Sequence, residues 1–201
     1  KLGSTAEGKV SVKVDTHPPA APVLSGTVEN KTSVQITWTR NTETDVAGYN
    51  VYRGGQKVNV ELVAGPEFRD QNLTEGVYTY TVKAVDRAGW ESQASNEIKI
   101  KVDLTGPDAR IRSPQDGSKV SGLIEIKGTA YSADDFTQYR VSIGQGVSPT
   151  AWALIRTSPL STSYGVLAQW DTLGLVEGAY SVKLETEDTS GNVNIHQITV
   201  T

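Results

Sequence analysis

An all-β fold, laid out as two tandem Greek-key β-sandwiches, is what this sequence predicts, and three observations predict it. A strand-and-turn plan occurs twice, once from Leu73 to Trp90 and again from Leu175 to Asn192. In both copies a leucine and an acidic-Gly turn lead into apolar residues that alternate with polar ones. Tyr80, Val82 and Ala84 alternate with Thr81 and Lys83, and Tyr180, Val182 and Leu184 with Ser181, Lys183 and Glu185. A period of two is the signature of a strand with one face buried. The third observation is compositional: Val, Ile, Thr and Tyr are plentiful, and no stretch keeps a helical period.

The chain of 201 residues is long enough for two cores of ordinary size. The boundaries expected are 1–15 for the closing strand of a preceding domain or an N-terminal extension, 16–103 for the first domain and 104–201 for the second. Gly8–Asp15 and Asn96–Asp103 are built alike, each an alternating run ending in Asp and followed by a Pro- or Gly-containing linker. Proline removes backbone freedom and cannot extend a ladder, so each linker is read as short and stiff. With no methionine at position 1 or elsewhere, the sequence is expected to be a piece of a longer chain.

In the first domain, strands are expected at 22–29, 33–39, 48–53, 58–63, 67–70, 77–85 and 95–102, with Gly, Asn and Asp turns between them. Trp38, Tyr80 and Tyr180 are expected to be structural. Trp38 belongs to the core, while each tyrosine starts a strand as a tyrosine corner, its hydroxyl bonding back to upstream backbone. In the second domain Trp152 and Trp170 are expected to pack beneath a long excursion at 144–163. The last strand carries Val193 and Ile195 on one parity, then Ile198 and Val200 on the other, which predicts a bulge at His196-Gln197.

These residues resemble known families. Pro19-Ala-Ala-Pro22, Ile36-Thr-Trp38, the run Asp45–Arg53, and Leu73 with Tyr80 are similar to a fibronectin type III module of the form common in bacterial secreted proteins. The segments Ile111–Gly122, Tyr139–Trp152 and Trp170–Tyr180 resemble bacterial immunoglobulin-like repeats of large surface or secreted proteins. The Arg-Gly-Asp tripeptide of some animal relatives is absent, and the adhesion it serves is not carried over.

No catalytic constellation can be assembled. The two histidines, His17 and His196, share no motif with a carboxylate, and there is no cysteine, no Gly-x-Ser-x-Gly and no His-Glu-x-x-His. The acidic residues are more informative. Strand direction places the turn after the tyrosine-led strand at the pole where the chain enters its sandwich. That gathers Asp15, Glu43, Asp45 and Asp86 at one junction and Asp103, Asp134, Asp135 and Asp188 at the other. The second set is the candidate Ca²⁺ site, because a hard cation takes six to eight oxygens, and the alternative is that each Asp caps its own turn. Trp90 follows the turn glycine; packing on the linker is the preferred reading, and a ligand platform for polysaccharide the other.

Net charge is −4, with 9 basic and 11 acidic side chains over 16–103 and 7 and 10 over 104–201. No basic face speaks for nucleic acid, and no apolar run for membrane insertion. Expected partners are neighbouring domains of the same chain, with a protein or polysaccharide surface besides. The function expected is a non-catalytic spacer and adhesion or interaction segment of a large extracellular or cell-surface bacterial protein. The alternative is an accessory, substrate-positioning module of a secreted hydrolase.

Overall fold

The structure is a computed structural model that describes residues 15–201; the strand expected within 1–15 lies almost wholly outside them. The chain divides after Val102 into two compact units. Among its described residues the first has seven strands: β1 (Leu24–Asn30), β2 (Ser33–Trp38), β3 (Val46–Arg53), β4 (Gln56–Lys57), β5 (Glu67–Asp70), β6 (Gly76–Asp86) and β7 (Ile98–Val102). They form two antiparallel sheets, β1-β2-β5 and β4-β3-β6-β7. Period-two alternation turns Leu24, Val34, Ile36 and Trp38 of one sheet and Tyr49, Val51, Tyr80, Val82 and Ala84 of the other into one buried cluster. Trp38 meets Tyr49 edge to face at 5.1 Å between ring centroids.

Two expected strands are shorter than their sequence pattern, for the same reason: side chains replace the ladder. Along 56–63 the pairing with β3 is continuous only at Gln56–Lys57; further on, the Val58 N–H reaches the Val51 carbonyl and Val63 makes an isolated antiparallel bridge with Tyr49. Asn59 Oδ1 accepts the Val51 N–H at 2.7 Å while its amide donates to the Tyr49 carbonyl at 3.1 Å, holding the chain without strand geometry. The last strand begins at Ile98 rather than 95, because the Ser92 and Ser95 hydroxyls take the N–H groups of Ala84 and Val82, each at 2.9 Å. At the seam between the two sheets the Asn96 side chain acts as a peptide group. It accepts the Leu24 N–H at 2.7 Å and donates to the Leu24 carbonyl at 2.9 Å.

The corner tyrosine of this unit is Tyr78, which corrects the expectation for Tyr80. Tyr78 sits two residues after Gly76, as Tyr180 sits two after Gly178, and its hydroxyl donates to the Thr74 carbonyl at 2.9 Å. Tyr180 makes the same bond to the Val176 carbonyl at 3.0 Å. Tyr80 is fully buried two positions further along, and its hydroxyl goes to the Asp70 carboxylate at 2.9 Å instead of to backbone. Tyr78→Phe and Tyr180→Phe are each expected to cost about 1 kcal/mol, the usual net worth of one such bond, measured by urea unfolding.

The second unit has strands β8 (Asp108–Ser113), β9 (Leu123–Tyr131), β10 (Phe136–Gln145), β11 (Ala153–Ser158), β12 (Thr162–Asp171), β13 (Tyr180–Asp188) and β14 (Val193–Val200). Its sheets, β12-β9-β8 and β11-β10-β13-β14, repeat the first unit strand for strand. Ile126, Val141, Leu167, Val182, Leu184 and Val200 are the centre of its core. The excursion expected over 144–163 carries β11 and the first residues of β12. Trp170 is buried edge to face with Tyr180 at 5.7 Å, and Trp152 is half-buried with the Lys183 ammonium over its ring at 4.6 Å.

The bulge expected at His196-Gln197 does not occur, since β13 and β14 pair without interruption from Tyr180↔Val200 to Glu187↔Val193. Parity is kept because Val193 and Ile195 face outward, and the inward places of that half of the strand are taken by Asn194 and His196. His196 Nδ1 accepts the Ile111 N–H of β8 at 3.2 Å, and the Asn194 amide donates to the Gly106 and Pro107 carbonyls. Two polar side chains thus hold the seam of this unit where an apolar pair was expected.

Candidate functional site

The candidate site is the turn that follows β6, repeated after β13. Each strand ends in an aspartate whose Oδ1 accepts two backbone N–H groups further on. Asp86 takes those of Ala88 and Trp90, at 2.8 and 2.9 Å. Asp188 takes those of Ser190 and Asn192, both at 2.8 Å. An aspartate at the head of a turn does this readily, and a glycine in the left-handed region closes it, Gly89 at φ +91° and Gly191 at +74°. The residue after each aspartate is tied to the β2–β3 or β9–β10 connection: Arg87 N–H donates to Asp45 O at 2.9 Å, Thr189 N–H to Asp135 O at 2.8 Å.

The side chain after each glycine then reaches the segment by which the chain enters the unit. Trp90 Nε1–H donates to the Asp15 carbonyl at 3.2 Å, and Asn192 Nδ2–H to the Asp103 carbonyl at 3.1 Å. An indole and a carboxamide make the same bond at equivalent positions. The indole of Trp90 is 49% exposed whereas Asn192 is 3% exposed, and the latter also donates to Asp188 Oδ2 at 2.9 Å.

Of the four acids expected together in the second unit, the structure brings together three. Asp103, Asp135 and Asp188 each turn a carboxylate oxygen inward, all within 4.8 Å of one another. Asp134 is exposed in the bend between β9 and β10 and is not one of the three. Three oxygens on that spacing could contribute to a divalent-cation shell, which for calcium needs further donors. The alternative foreseen for such residues is also present, since Asp188 caps its own turn and Asp135 accepts the Ser132 hydroxyl.

In the first unit the acids act on the incoming backbone. Glu43 accepts the Ala20 N–H at 2.8 Å, and Asn41 donates to the Ala20 carbonyl at 2.9 Å, so both peptide groups of Ala20 are held by side chains. That N–H is the main reason the Glu43 carboxyl lies below its ordinary range. The Asp15 carboxyl is lowered likewise, chiefly by the His17 N–H, which it accepts at 3.1 Å. His17 and His196 lie in different units: the His17 ring meets the Thr16 hydroxyl at 3.3 Å beside Asp15 at the surface, and His196 accepts a backbone N–H.

Sequence reasoning missed a polar group on the outer face of β3 and β6. Glu91 accepts from Asn50 at 2.7 Å, the Tyr52 hydroxyl at 2.9 Å and the Lys83 ammonium at 3.0 Å, and Lys83 lies 5.4 Å from the Tyr52 ring centre. Those donors outweigh partial burial and lower the Glu91 carboxyl, while burial and then Glu91 raise the Tyr52 phenol. The signal available was the outward parity shared by Asn50, Tyr52 and Lys83.

In the first unit, a three-strand sheet β1-β2-β5 faces a four-strand sheet β4-β3-β6-β7, with Trp38 on β2 and the tyrosine corner at the start of β6. The unit is fibronectin type III-like. No family model matches the chain. Among curated proteins the chain is similar to exoglucanase B of Cellulomonas fimi, 31% identical over 177 residues, covering 81% of this chain and 16% of that enzyme. It is similar to chitinase A1 of Niallia circulans at 32% over 122 residues, 58% of this chain and 17% of the other. A poly(3-hydroxybutyrate) depolymerase of Ralstonia pickettii matches at 38% over 76 residues, 37% and 15%. The chain with its fibronectin type III-like unit therefore spans a sixth or so of each of these relatives, between 15% and 17%. Among solved structures, the fibronectin(III)-like modules of Clostridium thermocellum CbhA align over 90% of each chain, with 16% identity and a TM-score of 0.46.

Proposed function

We propose that this segment is a non-catalytic accessory part of a larger extracellular enzyme that degrades a solid polymer. The observation that carries this is the match to exoglucanase B, which covers 81% of the chain and so runs through both units, yet makes up only 16% of that enzyme. The relatives named act on chemically different materials: a glucan, chitin and a polyester. Glucan and polyester share no sugar unit, and what the three materials have in common is that each is a polymer. A module common to such enzymes is better suited to spacing and positioning than to recognising one saccharide. Two sandwiches, each with a core of its own, fit that task.

This reading keeps the spacer role expected from the sequence and replaces adhesion with the positioning of a catalytic partner. Its test has two arms. The 201-residue chain alone is expected to release no reducing sugar from cellulose or chitin. Deleting it from the full-length parent is expected to lower turnover on the insoluble polymer several-fold while leaving a soluble oligomer unaffected. Sugar release by the isolated chain, or equal loss on both substrates, would overturn the proposal.

A further inference from the structure

The segment that enters each unit, residues 15–20 in the first and 103–107 in the second, lies outside the strand ladders described, yet its backbone groups are bonded. In the first unit, residues 15–20 are held by Asp15 on His17, by Glu43 and Asn41 on Ala20, and by Trp90 on the Asp15 carbonyl. In the second, residues 103–107 are held by Asn192 on Asp103, by Asn194 on Gly106 and Pro107, and by the Thr186 hydroxyl on Pro107 at 2.9 Å. Polar backbone must be satisfied somewhere, and in both units side chains supply the bonds quoted.

We infer that each incoming segment is a strap, buckled by the residue after the turn glycine, Trp90 in one unit and Asn192 in the other, and able to open without breaking any strand pair. The two buckles differ in kind. The first is a half-exposed indole whose bond is open to water, and its neighbours Glu43 and Asn41 are half-buried. The second is a buried carboxamide that grips Asp188 and Asp103 together. Bonds open to water yield at lower free energy than buried ones, so the strap of the first unit opens ahead of the second, and both open ahead of the sandwiches. Pulled from the amino-terminal side, the first unit would lengthen by releasing residues 15–20, uncovering Pro19, while Pro22, which is buried, and Val23, whose carbonyl accepts the Thr39 N–H, stay with the core.

The test is amide hydrogen exchange on the complete chain, comparing wild type with Trp90→Phe, which keeps a ring but removes the N–H. Exchange of the His17 and Ala20 amides is expected to quicken roughly two- to tenfold, the worth of one exposed hydrogen bond. The Val82 and Ala84 amides, bonded to Ser95 and Ser92, are expected to hold their rates. Glu43→Gln serves as the second variant and is expected to quicken Ala20 in the same way. In wild type, amides of the first strap are expected to exchange faster than Thr105 of the second. Strap and core amides quickening together, or no change in either variant, would overturn the inference.

Discussion

Replacing Asp70 by alanine is expected to cost the first unit about 3 kcal/mol, the top of the range for leaving a buried hydroxyl without its acceptor, with a half-exposed ion pair adding little. Asp70 ends β5 with both carboxylate oxygens on Arg53 Nη1, at 3.0 and 2.8 Å, and with Oδ2 also accepting the Tyr80 hydroxyl at 2.9 Å. Without it, a fully buried phenol and a partly covered guanidinium lose their shared acceptor at once. The phenol cannot compensate by ionising, because burial, its largest cause of elevation and one that the variant keeps, holds it above its ordinary range. Calorimetry should show the first unit melting at least 10 °C lower, at about 4–8 °C per kcal/mol for a domain of this size. A loss below about 1 kcal/mol would mean that the Tyr80 hydroxyl is not left without an acceptor. Asp70→Asn, which keeps an acceptor for Tyr80, is expected to fall between the two.

Gly128→Ala is expected to be as severe in the second unit. A β-carbon there would lie 1.9 Å from the Arg110 carbonyl oxygen and 2.9 Å from its carbon, both backbone atoms of the adjoining strand β8. No rotamer relieves such a clash, so β8 must draw away from β9 along a ladder that already shifts register between Ile111 and Ser113. Overpacking costs about 1–3 kcal/mol when side chains can give way, and a rigid strand places this change at or above the top of that range. Gly165→Ala provides the contrast. Its nearest neighbour is the Thr162 hydroxyl at 2.8 Å, which can rotate, so the expected loss is smaller. Equal losses for the two, read from urea midpoints, would show that β8 tolerates displacement.

How far the sequence could be read depended on how local each cause was. The Asp-x-x-Gly turns after β6 and β13 were legible because an aspartate caps backbone two and four residues ahead of itself, whatever the rest of the chain does. The bonds of Trp90 and Asn192 to Asp15 and Asp103 span 75 and 89 residues; strand direction alone indicated that these positions were near each other. Tyr78 and Tyr80 share a parity, so alternation could not choose the corner between them, whereas counting from the glycine as in Gly178-Ala-Tyr180 does. Asn59, Ser92 and Ser95 stand in places where a strand pattern continues, and only the fold reveals that their side chains substitute for the ladder. Asn194 and His196 broke the apolar alternation for a reason that lies in residues 106–111, beyond any local window.

Asn96 occupies both peptide groups of Leu24, and His196 fills the same gap for Ile111 in the other sandwich. A strand border already engaged by its own chain offers little to a stray one, and unguarded borders are where sheet proteins stick together. Modules threaded on one polypeptide meet each other at high effective concentration, which makes such misassociation a standing hazard. A carboxamide and an imidazole thereby each close one position of a strand border to a stray chain, at no expense to the cores.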